Sequence, residues 1–277
     1  MVARVVVGMT IELGLILPTS TPDPSRPVLG DARAAARLAE GAGVESVWST
    51  DHLIASAPML DSTVVLATAA AVTERVKIGY GVMLLALRPV AWAAKQVTSL
   101  QHVSGDRLLL GVGTGNPAHG DVGWRAAGTS FESRGRRTDE ALQVLPDLIA
   151  GRKVQLEEGL EAAIAPGATV PPLLVAGDGQ KALARAARFG DGWVSIGLAV
   201  DDVPARIAAL EDLAAGYDRP RPALTIVGPQ VDDIDEAKAV DQLAAYAEAG
   251  VERVILVPGG DGWEQGYERA ARLRAAL

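Results

Sequence analysis

The sequence predicts an α/β fold, a single closed barrel of eight parallel strands with a helix after each. Three observations predict it. Short apolar runs alternate with helix-like runs eight times along the 277 residues. Strand runs end in small or polar clusters, as at Ser49–His52, Gly79–Gly81 and Gly111–Asn116. No Pro- or Gly-rich linker divides the chain. Repeated strand–helix units imply a parallel sheet, and eight of them in about 250 residues is the arithmetic of a TIM barrel.

The strands are expected at Glu12–Leu17, Ser46–Ser49, Val76–Val82, Arg107–Val112, Leu173–Ala176, Gly192–Ile196, Ala223–Val227 and Arg253–Val257. Most are short apolar runs, as befits strands covered on both faces. The helices are expected at Asp31–Ala42, Ser62–Thr73, Val90–His102, Phe131–Ala150, Gln180–Phe189, Val203–Ala215, Asp235–Ala249 and Trp263–Ala276. Asp31, Asp61 and Asp202 stand at or near helix starts, where a carboxylate satisfies free N–H groups. Gly41, Gly43, Gly151, Gly190 and Gly250 punctuate helix ends. Two connections are longer than usual: Thr114–Ser130, on the face where strands end, and Arg152–Pro172, on the opposite face. Residues 1–10 read as an N-terminal extension or a start-site artefact, and 11–277 as the barrel domain. The helix Ser62–Thr73 carries no charge, so it lacks a solvated face. A helix that is apolar all round is covered all round, which predicts a homodimer through it; the alternative is a weakly amphipathic surface helix.

Composition narrows the function classes. With no cysteine there are no disulfides, thiolate metal sites or thiol nucleophiles. The net charge of −8, without a basic block, argues against nucleic acid as the partner. No run reaches the roughly 20 apolar residues that span a bilayer, and no signal peptide is evident. The expectation is a cytoplasmic protein without a membrane partner. The three histidines form no H-x-H or H-E-x-x-H pattern, which disfavours a metal site.

In parallel sheets chemistry collects where the strands end. Four clusters fall there. Asp51 and His52 follow the second strand; alone, the pair reads equally as a helix cap beside a partly exposed imidazole. Gly79 and Gly81 in the third strand permit close backbone approach or mark a barrel bend. The run Gly111–Asn116 is not a dinucleotide fingerprint, because the next helix opens only near Phe131; a tight exit from the strand explains its glycines as well. Gly177-Asp178-Gly179-Gln180 opens a helix, where free N–H groups bind phosphate, or is simply a turn. Trp48 reads as barrel packing. His102 reads as a helix-end cap, Arg134, Arg136 and Arg137 as a solvated ion-pair face, and Trp124 as either a substrate cover or rim packing.

The segments GLILPT (Gly14–Thr19), ARLAEGAGVESVWSTDHL (Ala36–Leu53), IGYGVMLL (Ile78–Leu85), KQVTSLQHVSGDRLLLGVGTGN (Lys95–Asn116), FESRGRRTDEAL (Phe131–Leu142) and PPLLVAGDGQKALARAARFGDGW (Pro171–Trp193) resemble the bacterial luciferase-like monooxygenase family, in particular its deazaflavin-dependent branch. They cover most of Gly14–Trp193. The resemblance implies a TIM barrel and an oxidoreductase using coenzyme F420, with FMN as the alternative, on a small-molecule substrate. It implies that Asp51 and His52 face the cofactor ring and carry the chemistry. It places a non-prolyl cis peptide at Gly81-Val82 against that ring, and lines the pocket with Thr114, Gly115 and Asn116. It sets the cofactor phosphate on Gly177, Asp178, Gly179 and Gln180. Two departures stand out. Some deazaflavin members carry an acidic residue where this chain has Asn116, and an amide exchanges no proton near neutrality. The Asp178 carboxylate would repel a phosphate unless it turns away to cap the helix. The rival readings are a non-catalytic flavin-binding barrel, favoured by Asn116, and a cofactor-free hydrolase or lyase.

Overall fold

The computed structural model describes residues 11–19, 30–55, 58–229, 234–258 and 262–277. In chain order its strands and α-helices are β1 (Glu12–Ile16), α1 (Ala32–Gly41), β2 (Ser46–Ser49), α2 (Ser62–Val72), β3 (Lys77–Leu84), α3 (Val90–Ser104), β4 (Leu108–Gly113), α4 (Val122–Ala126), α5 (Arg134–Ile149), β5 (Val154–Glu157), β6 (Leu160–Ala162), β7 (Leu173–Ala176), α6 (Gln180–Phe189), β8 (Gly192–Ile196), α7 (Val203–Ala215), β9 (Ala223–Val227), α8 (Glu236–Glu248), β10 (Arg253–Leu256) and α9 (Trp263–Ala276). The expected extension at 1–10 and residues 20–29 lie outside the described residues.

Eight strands close a barrel in the order β1-β2-β3-β4-β7-β8-β9-β10, every neighbour parallel. The eight expected strands and eight expected helices are all present, to within a few residues at their ends. Asp31 and Asp61 cap α1 and α2 through their carboxylates, whereas Asp202 makes no side-chain cap on α7. Arg107 closes the far end of α2 on the carbonyls of Ala70 and Thr73.

Both long connections hold structure that the sequence reading left out. Arg152–Pro172 contains the antiparallel hairpin β5–β6. Its two-residue turn is Glu158-Gly159, with Gly159 at φ 77°; that Gly between two short runs is the available signal, but charged residues on both strands hide the alternation. Thr114–Ser130 contains α4, five residues too short to show a helical period. His102 does not cap its own helix; its Nε2 lies 3.0 Å from the Gly167 carbonyl oxygen, tying α3 to the segment after the hairpin.

The core has two layers. Trp48, Leu109, Leu174, Val194 and Ile255 come from five different strands and pack together inside the barrel. A larger set, including Val47, Tyr80, Leu110 and Trp193, fills the space between strands and helices. Trp48 is fully buried, with Nε1 donating to Ser46 Oγ at 2.8 Å. Its indole leaves no room on either neighbouring strand. A Cβ on Gly79 would lie 2.3 Å from Trp48 Cε3, and one on Gly14 2.5 Å from Trp48 Nε1. Below it Arg253 pairs with Glu12 and Glu45, and Lys77 with Glu45, closing the amino end with charge.

Helix α2 buries Val65, Leu66 and Ala69 against the barrel but leaves Val64 65% exposed. On neighbouring α3, Trp92 is 66% exposed. An uncharged face is therefore open within one chain. No helix among the described residues is long and apolar enough to cross a membrane.

Candidate active site at the carboxyl rim

Gly81-Val82 lies in the last half of β3, and His52, Thr114–Asn116 and Gly177–Gln180 follow β2, β4 and β7. These strands are consecutive in the barrel. With neighbouring strands about 4.8 Å apart, the four clusters span an arc of roughly 14 Å of one rim. This is the adjacency expected for the second to fifth strands of the eight-strand barrel, with the β5–β6 hairpin set outside it as a separate sheet.

Asp51 and His52 diverge. Asp51 is 4% exposed; its Oδ2 accepts from the Leu84 backbone N–H at 2.9 Å and from Arg88 Nη2 at 2.6 Å, and its Oδ1 from Ser62 Oγ at 3.2 Å. The carboxylate is thus committed to pinning the end of β3 and the start of α2 to the end of β2. His52 is half-buried, and among the described residues its ring nitrogens make no hydrogen bond. Its ring meets that of His119, on the β4–α5 connection, with centroids 4.9 Å apart and planes at 68°. Burial, then the neighbouring His119, push the His52 pKa below the ordinary histidine value, against an opposing pull from Asp51.

The third-strand cluster departs from regular pairing. Register between β3 and β4 shifts between Tyr80 and Met83, bulging Gly81 and Val82 out of the ladder. The Gly81-Val82 peptide is cis, at the position the resemblance implies. The bulge accounts for two glycines of the next strand. A Cβ on Gly111 would sit 2.1 Å from the Tyr80 carbonyl oxygen, and one on Gly113 2.5 Å from Val82 Cγ2. These glycines are required by strand packing, not by a phosphate.

Gly115 has φ 82° and Asn116 is exposed. Asn116 Oδ1 accepts from the Ala118 N–H at 3.0 Å, capping the short 3-10 turn Pro117–His119. A narrow pocket of about 10 Å³, room for roughly one water, lies between the ends of β2 and β4, bounded by His52, Ile54, Leu84, Gly115, Asn116 and His119. Trp124 is 5% exposed and packs with Leu84, Leu87 and Phe131, so it anchors the loop beneath while also bordering this pocket. Thr114 is half-buried at the strand exit. Among the described residues, none of Gly177–Gln180 borders this pocket.

At the Gly177–Gln180 loop, Gly177 has φ 122° and its carbonyl accepts from Trp193 Nε1 at 2.8 Å. Asp178 does not cap α6. Its carboxylate instead accepts from Ser195 Oγ, and no side chain caps the helix start. Gly179 and Gln180 are exposed, and a Cβ on Gly179 meets nothing within 4 Å. An open, uncapped helix start flanked by a small residue fits a phosphate. Next along the rim, Ile16, Ala176 and Val227 pack on the interior cluster, and Ile196 is 71% exposed at the end of β8. This apolar floor was not singled out from the sequence, since each residue closes an ordinary strand run.

A family model for luciferase-like monooxygenases matches residues 11–275. The chain belongs to the luciferase-like monooxygenase family. This luciferase-like chain is 34% identical over 173 residues to a 5,10-methylenetetrahydromethanopterin reductase of Methanolobus tindarius, covering 61% of the chain and 50% of the relative. It is 28% identical over 227 residues to an F420-dependent hydroxymycolic acid dehydrogenase of Mycobacterium tuberculosis, covering 73% and 62%. The matches span about half the length of the first two kinds of curated relative, an uncharacterized mycobacterial protein and the reductase. Among solved structures, an F420-dependent secondary alcohol dehydrogenase superposes with a TM-score of 0.77 at 17% identity, covering 96% of this chain and 98% of that one. The monooxygenase RslO1 of Streptomyces bottropensis superposes with a TM-score of 0.74 at 19% identity, over 96% and 98%. At such identities the superpositions establish the fold.

Proposed function

We propose that this protein is an F420-dependent oxidoreductase acting on a small organic substrate, with its cofactor laid along the arc from β2 to β7. The observation that carries the reading is the uncapped start of α6, with Asp178 turned away to Ser195 and open space over Gly179. The backbone N–H groups of Gly179 and Gln180 would hold the phosphate. Gly81, Val82, Thr114 and Gly115 would border the ring. The F420-dependent dehydrogenase among the sequence relatives supports F420 over FMN.

Bound F420 supplies a two-electron hydride carrier, and the protein supplies position and electrostatics. His52, which makes no hydrogen bond among the described residues and whose pKa burial and then His119 push below the ordinary histidine value, would take or give a proton at a ring nitrogen. Asp51 acts as a positioning residue: its contacts to Leu84 and Arg88 fix where β2 ends and therefore where His52 points. A homodimer through the exposed face of α2, with Val64 and Trp92, belongs to the same reading.

Calorimetric titration of the cofactor-free protein with F420 and with FMN tests the assignment. Micromolar or tighter binding of F420, together with substrate-dependent change in its absorbance, is expected. Binding of FMN alone would reassign the cofactor. Binding of neither would overturn the reading. Light scattering at micromolar concentration should show a dimer that Val64→Glu converts to monomer.

A further inference from the structure

Asn116 leaves the pocket without the acid that some deazaflavin members carry there, yet three residues on the same turn brings in another ionisable group. The Asn116 side-chain Oδ1 caps the turn that ends at His119, and the His119 ring stands edge-on to His52 with centroids 4.9 Å apart. The placement is built from both sides. Asp51 pins the end of β2. α4 lies close enough to the following residues that a Cβ on Gly123 would be 3.3 Å from the Ile54 backbone nitrogen and oxygen. Trp124 is buried against Leu84 and Leu87 beneath the loop.

We propose that His52 and His119 work as one proton-exchanging unit of this pocket, with His119 supplying the ionisable group that Asn116 does not. The proton-exchange role rests on the oxidoreductase reading; the coupling of the two rings does not. Two imidazolium rings in contact repel, so a proton on the His119 ring disfavours one on His52. The groups that act on His52 are His119 from the β4–α5 connection and Asp51 at the end of β2. The Arg88 charge, from the exit of β3, is committed to Asp51. Burial and His119 both disfavour a charged His52, which keeps a ring nitrogen free to accept. In the step assigned to the pair, a substrate O–H bond breaks, an N–H bond forms on His52, and the electron pair stays on the substrate oxygen. His119 is exposed and opens the route by which that proton reaches water.

The test begins without cofactor. With only three histidines in the chain, each imidazole can be followed by NMR against pH, with His102→Gln to assign signals. In the native protein the His52 signal should show two separated steps. In His119→Asn, an exposed loop substitution that leaves the fold intact, it should titrate once, with its midpoint raised by roughly half a pH unit or more. An identical single step in both proteins overturns the coupling. The second arm is the pH profile of F420-linked turnover, whose acid limb should move with His119→Asn. Superimposable profiles despite coupled rings overturn the proton-exchange role. Coupled rings in a protein that binds no F420 leave the pair standing and remove only the oxidoreductase reading.

Discussion

Glycines do opposite things in two regions of this barrel. Around Trp48 and the β3 bulge, Gly14, Gly79, Gly111 and Gly113 have no room for a methyl group, and each would collide with an indole, a carbonyl oxygen or Val82. At the start of α6, Gly179 has nothing within 4 Å of where a Cβ would sit. The first set is consumed by packing within the protein. The second is smallness facing outward, which packing does not demand and a ligand would. A glycine-rich run in a sequence does not separate glycines consumed by packing from those with open space at the Cβ position; the nearest atom to the missing Cβ does.

The contrast can be broken or sharpened by substitution. The largest effect is expected from Trp48→Ala, which empties the barrel interior and should cost about 3–5 kcal/mol of stability, measured by chemical denaturation. A loss under about 1 kcal/mol would mean the indole is not what excludes side chains at Gly14 and Gly79. Next is His52→Ala, expected to lower turnover about 10²-fold with little change in cofactor Kd; full turnover would reduce His52 to a wall residue. The His52 pKa is depressed, by burial first and then by His119. Its linkage has a definite sign. Below the ordinary midpoint the unfolded chain takes up the proton more readily than the folded one, so stability should decline as pH falls from about 6.5, a decline that His52→Ala should diminish. Gly111→Ala should cost about 1–3 kcal/mol, since the backbone carbonyl of Tyr80 cannot swing aside as a side chain can. The smallest effect is reserved for Asp178→Asn. It keeps a partner for Ser195 and removes a negative charge near the open helix start, so phosphate affinity should be unchanged or slightly improved.

These regions also differ in how much of them the sequence discloses. All eight barrel strands were legible because buried parallel strands are short apolar runs bounded by small residues, and Asp31 and Asp61 marked their helices by cap chemistry. The hairpin β5–β6 escaped because its short strands carry Gln and Glu on a wet surface. The clusters at His52, Gly81, Asn116 and Gly177–Gln180 were visible as strand-end signals and, more specifically, by family resemblance. Their adjacency follows from the expected barrel, in which the second to fifth strands are neighbours. The fate of Asp51 was not visible. A carboxylate beside a histidine reads as a catalytic pair, whereas a partner 37 positions on, Arg88, claims it. The His52–His119 contact depends on the turn Pro117–His119, three residues too few to show a period.

The most direct measurement compares F420 affinity of the native protein and Gly179→Val by calorimetry, alongside their thermal unfolding. The open space at Gly179 implies that valine changes stability by less than about 1 kcal/mol, the scale of a helix-cap substitution. If the phosphate rests on this backbone, the same valine should weaken F420 binding by about 2–4 kcal/mol through lost hydrogen bonds to a charged group. Equal F420 affinity in the two folded proteins would contradict the account and move the phosphate away from α6.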